Sequence, residues 1–114
     1  MIHLLPLSVA ATQTGRTVAA LRLAAVGGQV PRLYLGRALR VATAPLPTGQ
    51  AELVKLLERT VYTIPDLAQA WAIHPDTLQR LARGRTLPMT LRPGGWTISR
   101  SRLAQYLQEN LWPL

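Results

Sequence analysis

The chain contains no cysteine, and only five of its 114 residues are acidic. Without cysteine it can form no disulfide, thiolate metal site or cysteine nucleophile. Its two histidines and five carboxylates are scattered along the chain and leave little for a catalytic or metal site. We therefore expect no enzyme activity, no cofactor and no bound metal.

Long apolar runs are also missing. No stretch reaches the roughly 18 continuous apolar residues that a membrane-spanning helix needs. The N-terminal segment 2–14 has no basic start and contains Pro6 and several polar residues, unlike a targeting signal. We therefore expect a soluble cytoplasmic protein, associated with the nucleoid and without a membrane partner.

Positive charge is abundant in contrast. Thirteen Lys and Arg residues give a formal net charge of +8, and residues 1–51 hold five arginines and no acid. Hydrophobic residues make up 48% of the chain, which is typical of a folded protein. A compact protein with this surplus repels itself unless an anionic partner neutralises it, so the composition favours nucleic acid or an acidic surface as that partner.

The sequence contains a degenerate internal repeat. Displacing the chain against itself by 57 residues aligns apolar residues and turn-formers throughout. Both copies predict a helix, a tight turn, a second helix, a glycine and a short β-rich stretch. We predict a mainly α fold with short β-hairpins (α+β), made of two tandem winged helix-turn-helix units at 1–59 and 60–114. A helix over 49–59, capped by Thr48, would link them.

The second copy has the clearer local signals. Thr63-Ile64-Pro65-Asp66 has the pattern of a capping box and predicts a helix over 65–71. Ala72-Ile73 predicts the turn, and His74 or the residue beside it caps a second helix that Gly84 ends in the left-handed conformation. Two short helices joined in this way form a helix-turn-helix.

A β-hairpin, or wing, is predicted after these helices. Residues 87–92 and 96–98 have strand character, and Pro93-Gly94-Gly95 supplies the turn. Ser99 then caps a last helix over 100–111. The first copy predicts helices over 8–14 and 18–26, the second capped by Thr17, and a hairpin over 30–41. Trp71 and Trp96 are expected in the core.

Residues 63–107 resemble the excisionase-type, MerR-like winged helix-turn-helix family. The resemblance is carried by Thr63-Ile64-Pro65-Asp66-Leu67-Ala68, Thr77-Leu78-Gln79-Arg80-Leu81, Gly94-Gly95-Trp96-Thr97-Ile98 and Tyr106-Leu107, in family order. Residues 7–41 are similar to a second, weaker member. The resemblance implies a small DNA-binding domain of bacterial, phage or mobile-element origin. Its second helix would enter the major groove, and its wing would lie along the backbone or in the minor groove.

Polar and basic residues of the predicted second helix and wing are the candidate DNA contacts. Arg80 and Arg83 lie one turn apart, so one can pair with guanine while the other meets phosphate. The alternative is a solvated helix face. The full predicted set is Thr77, Gln79, Arg80, Arg83 and Arg92 in the second copy, and Arg16, Arg22, Arg37 and Arg40 in the first.

Several roles remain open for such a protein. It can be an excisionase-like architectural protein of DNA recombination, or a transcriptional repressor or plasmid-maintenance regulator that uses the same surface. Its partners would be double-stranded DNA and a recombinase or a second copy. A different alternative is a docking or dimerisation module whose first copy has lost DNA contact, with Leu111-Trp112-Pro113-Leu114 as an apolar hook.

Overall fold

The computed structural model describes residues 1–47 and 49–111. Six helices and two small antiparallel sheets alternate along this part of the chain. The elements are α1 (Leu7–Thr14), α2 (Val18–Val26), β1 (Arg32–Leu35), β2 (Ala38–Val41), α3 (Gln50–Leu56), β3 (Val61–Thr63), α4 (Ile64–Trp71), α5 (Pro75–Arg83), β4 (Thr90–Arg92), β5 (Gly95–Ser99) and α6 (Arg100–Asn110). The predicted α+β class is confirmed.

One sheet is a hairpin of β1 and β2, and the other has the strand order β3-β5-β4. The sequence analysis missed β3, because a three-residue strand is too short to show a period and Thr63 was interpreted only as a helix cap. Tyr62 of β3 pairs with Ile98 of β5. In the first sheet Leu5 makes an isolated bridge to Val41. These two residues lie 57 positions before Tyr62 and Ile98.

The helix boundaries also recur at this spacing. α1 and α2 begin and end 57 residues before α4 and α5. Both turns between paired helices contain a left-handed residue, Gly15 at φ 70° and Ala72 at φ 49°. The recurrence concerns element positions, and the classification of residues 1–59 as a second winged unit stays a prediction.

Side-chain caps fix the starts of four helices, as predicted. The Thr63 hydroxyl accepts from the Asp66 amide at 3.4 Å, and the Asp66 carboxylate accepts from the Thr63 amide at 2.9 Å, which completes the capping box. Thr17 and Ser99 accept from amides three residues later. His74 caps α5 through Nδ1, which accepts from the Asp76 amide at 3.1 Å.

Some predicted boundaries were wrong. Gly84 is not left-handed, since its φ is −79°, and the positive φ falls one residue later, on Arg85. The strand predicted over 87–92 is limited to Thr90–Arg92, because Leu87 and Met89 turn into the core. The turn of this hairpin is Pro93-Gly94, since Gly95 already pairs with Arg92.

The linking helix is shorter than predicted. It begins after Gly49 and ends at Leu56, because Leu57 becomes extended (φ −94°, ψ 115°) and is buried. The predicted cap Thr48 and residues 112–114 of the predicted hook lie outside the described residues, and the first residue of that hook, Leu111, is buried in the core. Helix α3 packs against α6, and Leu53 of α3 and Leu103 of α6 are both buried there.

Two apolar clusters form the interior. The smaller one joins α1, α2 and β2 through Leu7, Ala10, Ala11, Leu21, Ala25 and Val41. The larger one contains Leu33 and Leu35 of β1 together with Trp71 and Leu107 from the second half. Trp96 is half-buried against this cluster. The predicted limit between residues 59 and 60 therefore does not separate two cores, and the domain division stays a prediction.

The two turn residues allow a matched test of local strain. A left-handed backbone costs a residue with a Cβ about 1–2 kcal/mol, and a Cβ at Gly15 would meet nothing within 4 Å. We expect Gly15→Ala to lower the free energy of unfolding by about 1 kcal/mol. Ala72→Gly should raise it by about 0.5–1 kcal/mol, the gain being reduced by glycine's greater freedom in the unfolded chain. Urea unfolding measures both, and a gain in stability from Gly15→Ala or a loss from Ala72→Gly would contradict this account.

Burial of the Tyr106 hydroxyl predicts that the free energy of unfolding falls at alkaline pH. Burial raises the pKa of this hydroxyl to about 12 from 10.0. The unfolded chain therefore loses this proton first, and the stabilisation present below pH 10 is lost as the pH rises to about 12. We expect a loss of about 2 kcal/mol over that range. Tyr106→Phe should remove most of this pH-dependent loss of stability. Tyr34→Phe, which changes an exposed ring, should leave the loss unchanged.

Candidate nucleic-acid interface

Helix α5 separates an apolar face from a polar one. Leu78, Leu81 and Ala82 are buried in the larger cluster. Asp76, Arg80 and Arg83 are exposed on the opposite face, and Thr77 and Gln79 are half-buried at its edges. The apolar face holds the helix against the core, so the guanidinium groups of Arg80 and Arg83 are presented together to solvent.

The wing places another cation close to a tight turn. Arg92 is exposed and pairs with Gly95 across the two-residue turn Pro93-Gly94. Gly94 and Gly95 have φ values of 105° and 129°, which side chains with a Cβ rarely adopt. Glycine is therefore required for a turn this short, and the turn holds Arg92 at the end of the hairpin.

Two further arginines belong to this surface and were missed by the sequence analysis. Arg85 is exposed directly after α5, at the left-handed position that was assigned to Gly84. Arg102 lies in the first turn of α6 and is exposed. The sequence does contain a local indication that Arg102 lies in the first turn of a helix. Ser99 is the predicted cap, and Arg102 is the third residue after it.

The outer side of the wing sheet forms a shallow groove of about 360 Å³. Residues 90, 92, 97 and 99 alternate along β4 and β5, so their side chains share one face of the sheet. The groove combines hydroxyl groups with two guanidinium groups, from Thr90, Thr97 and Ser99 and from Arg92 and Arg102. Groups of these two kinds donate hydrogen bonds to anionic oxygens.

The carboxylates near this surface have local roles. Asp66 is occupied by its capping box and by an ion pair with Arg59 at 3.3 Å. Asp76 lies in the first turn of α5, where a negative charge is favourable to the helix dipole. It is the one acidic residue among the nine residues of α5.

The predicted contacts in the first half fall into two groups. Arg16, Arg22 and Arg37 are exposed. Arg40 is half-buried, and its Nε and Nη2 donate to the carbonyl oxygens of Trp71 and Ala72, each at 2.8 Å. Its Nη1 donates to the Leu39 carbonyl at 3.0 Å. Burial lowers the pKa of the Arg40 guanidinium.

These bonds occupy the C-terminal end of α4. The last carbonyls of a helix have no partner within it. Here the Leu4 amide donates a hydrogen bond to the Ala70 carbonyl at 3.2 Å, and Arg40 donates to the carbonyls of Trp71 and Ala72. The Trp71 indole donates to the Ile2 carbonyl at 3.2 Å. Arg40 therefore joins the first half of the chain to the turn before α5. All three of its nitrogens are engaged, so we leave Arg40 out of the candidate interface.

No metal or membrane feature accompanies this surface. Within residues 1–47 and 49–111, no three His, Cys, Asp or Glu side chains are grouped so that they could hold a metal ion. No helix in the same ranges is long and apolar enough to cross a membrane.

The role of Arg40 can be measured by its removal. Hydrogen bonds from a charged donor contribute about 1.5–3 kcal/mol each, and truncation leaves the acceptors unpaired. We expect Arg40→Ala to lower the free energy of unfolding by at least about 2 kcal/mol. Arg37→Ala, in the turn of the same hairpin but exposed, should change it by less than about 0.5 kcal/mol. Equal losses in the two variants would show that Arg40 has no special structural role.

Comparison with known proteins agrees with the geometry of the second half. Residues 61–111 match the model of a family described as a helix-turn-helix domain. No curated protein and no solved structure matches the chain. The matched range begins at β3 and ends just after α6, so it contains α4, α5 and the wing. The match supports a helix-turn-helix of the DNA-binding kind in this part of the chain.

Proposed function

We propose that the protein binds duplex DNA through α5 and the wing and catalyses no reaction. The observation that carries the proposal is the pair Arg80 and Arg83, exposed on α5 within the matched helix-turn-helix range. An α-helix fits the major groove, and arginine can pair with guanine through two hydrogen bonds. Gln79 is suited to adenine, and Thr77 can donate to either a base or a phosphate.

The wing supports the proposal with phosphate contacts. Arg92 and Arg102 flank three hydroxyl groups in the groove on its outer side. Such groups bind phosphate oxygens and orient a protein on DNA without reading sequence. Arg85, between α5 and the wing, adds a third cation to this set.

We favour an architectural, excisionase-like role over that of a repressor or plasmid-maintenance regulator. The acid-free first half adds the exposed cations Arg16 and Arg37 to those of the wing and α5. Cations outside one reading helix can neutralise phosphates on a longer segment and favour bending of the DNA. The partners would then be DNA together with a recombinase or a second copy of this chain.

Salt-dependent binding tests this proposal. We expect duplex DNA of about 30 base pairs to bind with a logarithmic salt slope near −5, as for about six neutralised phosphates. Arg80→Ala and Arg83→Ala should each weaken binding about 5–150-fold, because a base or phosphate contact is lost. A phosphate contact would also reduce the slope by about one. Fluorescence anisotropy at several salt concentrations provides both quantities.

Lys55→Ala is the matched control. It removes the same charge from the last turn of α3, beside Glu58 and the N-terminal residues, and its effect should stay below about twofold. An unchanged affinity in both arginine variants, or equal affinity for single strands and duplex, would refute a major-groove contact by α5.

A further inference from the structure

Helices α2 and α5 have the same orientation of buried and exposed positions but opposite surface chemistry. Leu21, Ala24 and Ala25 of α2 are buried, as are Leu78, Leu81 and Ala82 of α5. The exposed positions differ. Where α5 presents the exposed Asp76, Arg80 and Arg83 and the half-buried Gln79, α2 presents the exposed Ala19, Leu23, Val26 and Arg22.

The outward face of α2 is apolar although it is exposed to solvent. Leu23 is 74% exposed, Val26 55% and Val18 40%. A helix that is apolar on all sides normally has both faces covered, because uncovered apolar surface is unfavourable in water. An apolar face beside polar surroundings is typical of a contact with another macromolecule.

DNA does not fit this face. Among the solvent-facing residues of α2, Arg22 alone carries a charge or a side-chain hydrogen-bond donor. Readout in the major groove needs donors and acceptors at several positions of one helix face. The arrangement that makes α5 suitable for a base edge is therefore missing from α2.

A second copy of the chain does not fit well either. Arg22 lies at the middle of the nine-residue helix. A two-fold contact between α2 helices would place Arg22 of one copy against Arg22 of the other within an apolar interface. Like charges in such a place are unfavourable, and each copy carries a net charge of +8.

A partner with a carboxylate in an apolar face satisfies both properties. Arg22 would gain an ion pair at the centre of the contact, and Leu23, Val26 and Val18 would be covered by apolar side chains. No acid occurs in residues 1–51 to compete for Arg22. Buried arginines surrounded by apolar contacts are frequent centres of binding energy.

We propose that the exposed face of α2, formed by Val18, Ala19, Arg22, Leu23 and Val26, docks an acidic amphipathic helix of another protein. A helix of nine residues is about 13.5 Å long. It therefore covers much less than the roughly 800 Å² per partner of a standard stable complex. The contact is accordingly a weak one, with a Kd in the micromolar range. This inference is independent of the proposed DNA binding.

The test uses a synthetic helical peptide with leucines around one central glutamate on one face and glutamates on the others, labelled for fluorescence anisotropy with the full chain. We expect Leu23→Ser combined with Val26→Ser to weaken peptide binding at least about tenfold, because both side chains lose their burial. Leu56→Ser, at an exposed apolar residue of α3, is the matched control and should leave binding unchanged. These substitutions are at exposed sites, so folding should be retained.

Charge reversal tests the ion pair. Arg22→Glu should lose affinity for the glutamate peptide and bind a lysine version of it more tightly than the original chain does. Arg80→Ala should keep peptide binding while losing affinity for DNA, so that failure of one proposal is distinguished from failure of the other.

Three outcomes would overturn the proposal. Equal peptide binding by the original chain and the Leu23/Val26 variant would mean that net charge alone attracts the peptide. Self-association in sedimentation that the same variant abolishes would make a second copy the occupant. A loss of duplex affinity in that variant, equal to the loss in Arg80→Ala, would make α2 a DNA-binding helix.

Discussion

The position of α5 depends on the end of the helix before it. Three successive carbonyls, of Ala70, Trp71 and Ala72, accept hydrogen bonds from Leu4 and Arg40 of the first half. Unpaired carbonyls at a buried helix end would destabilise the fold. The first half therefore holds the turn between α4 and α5 in place, and the large shared core around Trp71 supports the same junction. Residues 1–59 therefore support α5, the candidate DNA-binding helix, whatever partner these residues bind themselves.

The two helix pairs show how one backbone pattern serves two surfaces. Their lengths and left-handed turns correspond, and the buried positions of α2 and α5 hold Leu and Ala in both. Packing restricts these buried positions, whereas exposed positions are free to differ. In α5 they are polar and basic, and in α2 they are mostly apolar. A difference confined to the exposed face is what a change of partner requires, and it leaves the fold intact.

Most of the positive charge also lies at exposed positions that packing does not restrict. Most arginines extend from turns, helix ends and the wing, and long guanidinium side chains there cost the core nothing. Arg40 differs from these, since its charge is partly buried and its Nε, Nη1 and Nη2 all donate to backbone carbonyls of the protein. Net charge therefore indicates the class of partner, but it does not show which cations are available to that partner.

Local chemistry let the sequence by itself determine much of this protein. Capping residues, the turn at Ala72, the limits of α2 and the apolar stripes of α4, α5 and α6 involve neighbours within about four residues, and they follow from the order of the residues. Arg80 and Arg83 were assigned to an exposed face for the same reason. Only the tertiary structure decided the pairing of β3, which residues of the first half enter the shared core, and the role of Arg40. These features connect residues about 30 to 70 positions apart. Such contacts depend on how the elements pack in space, and no local pattern encodes that packing.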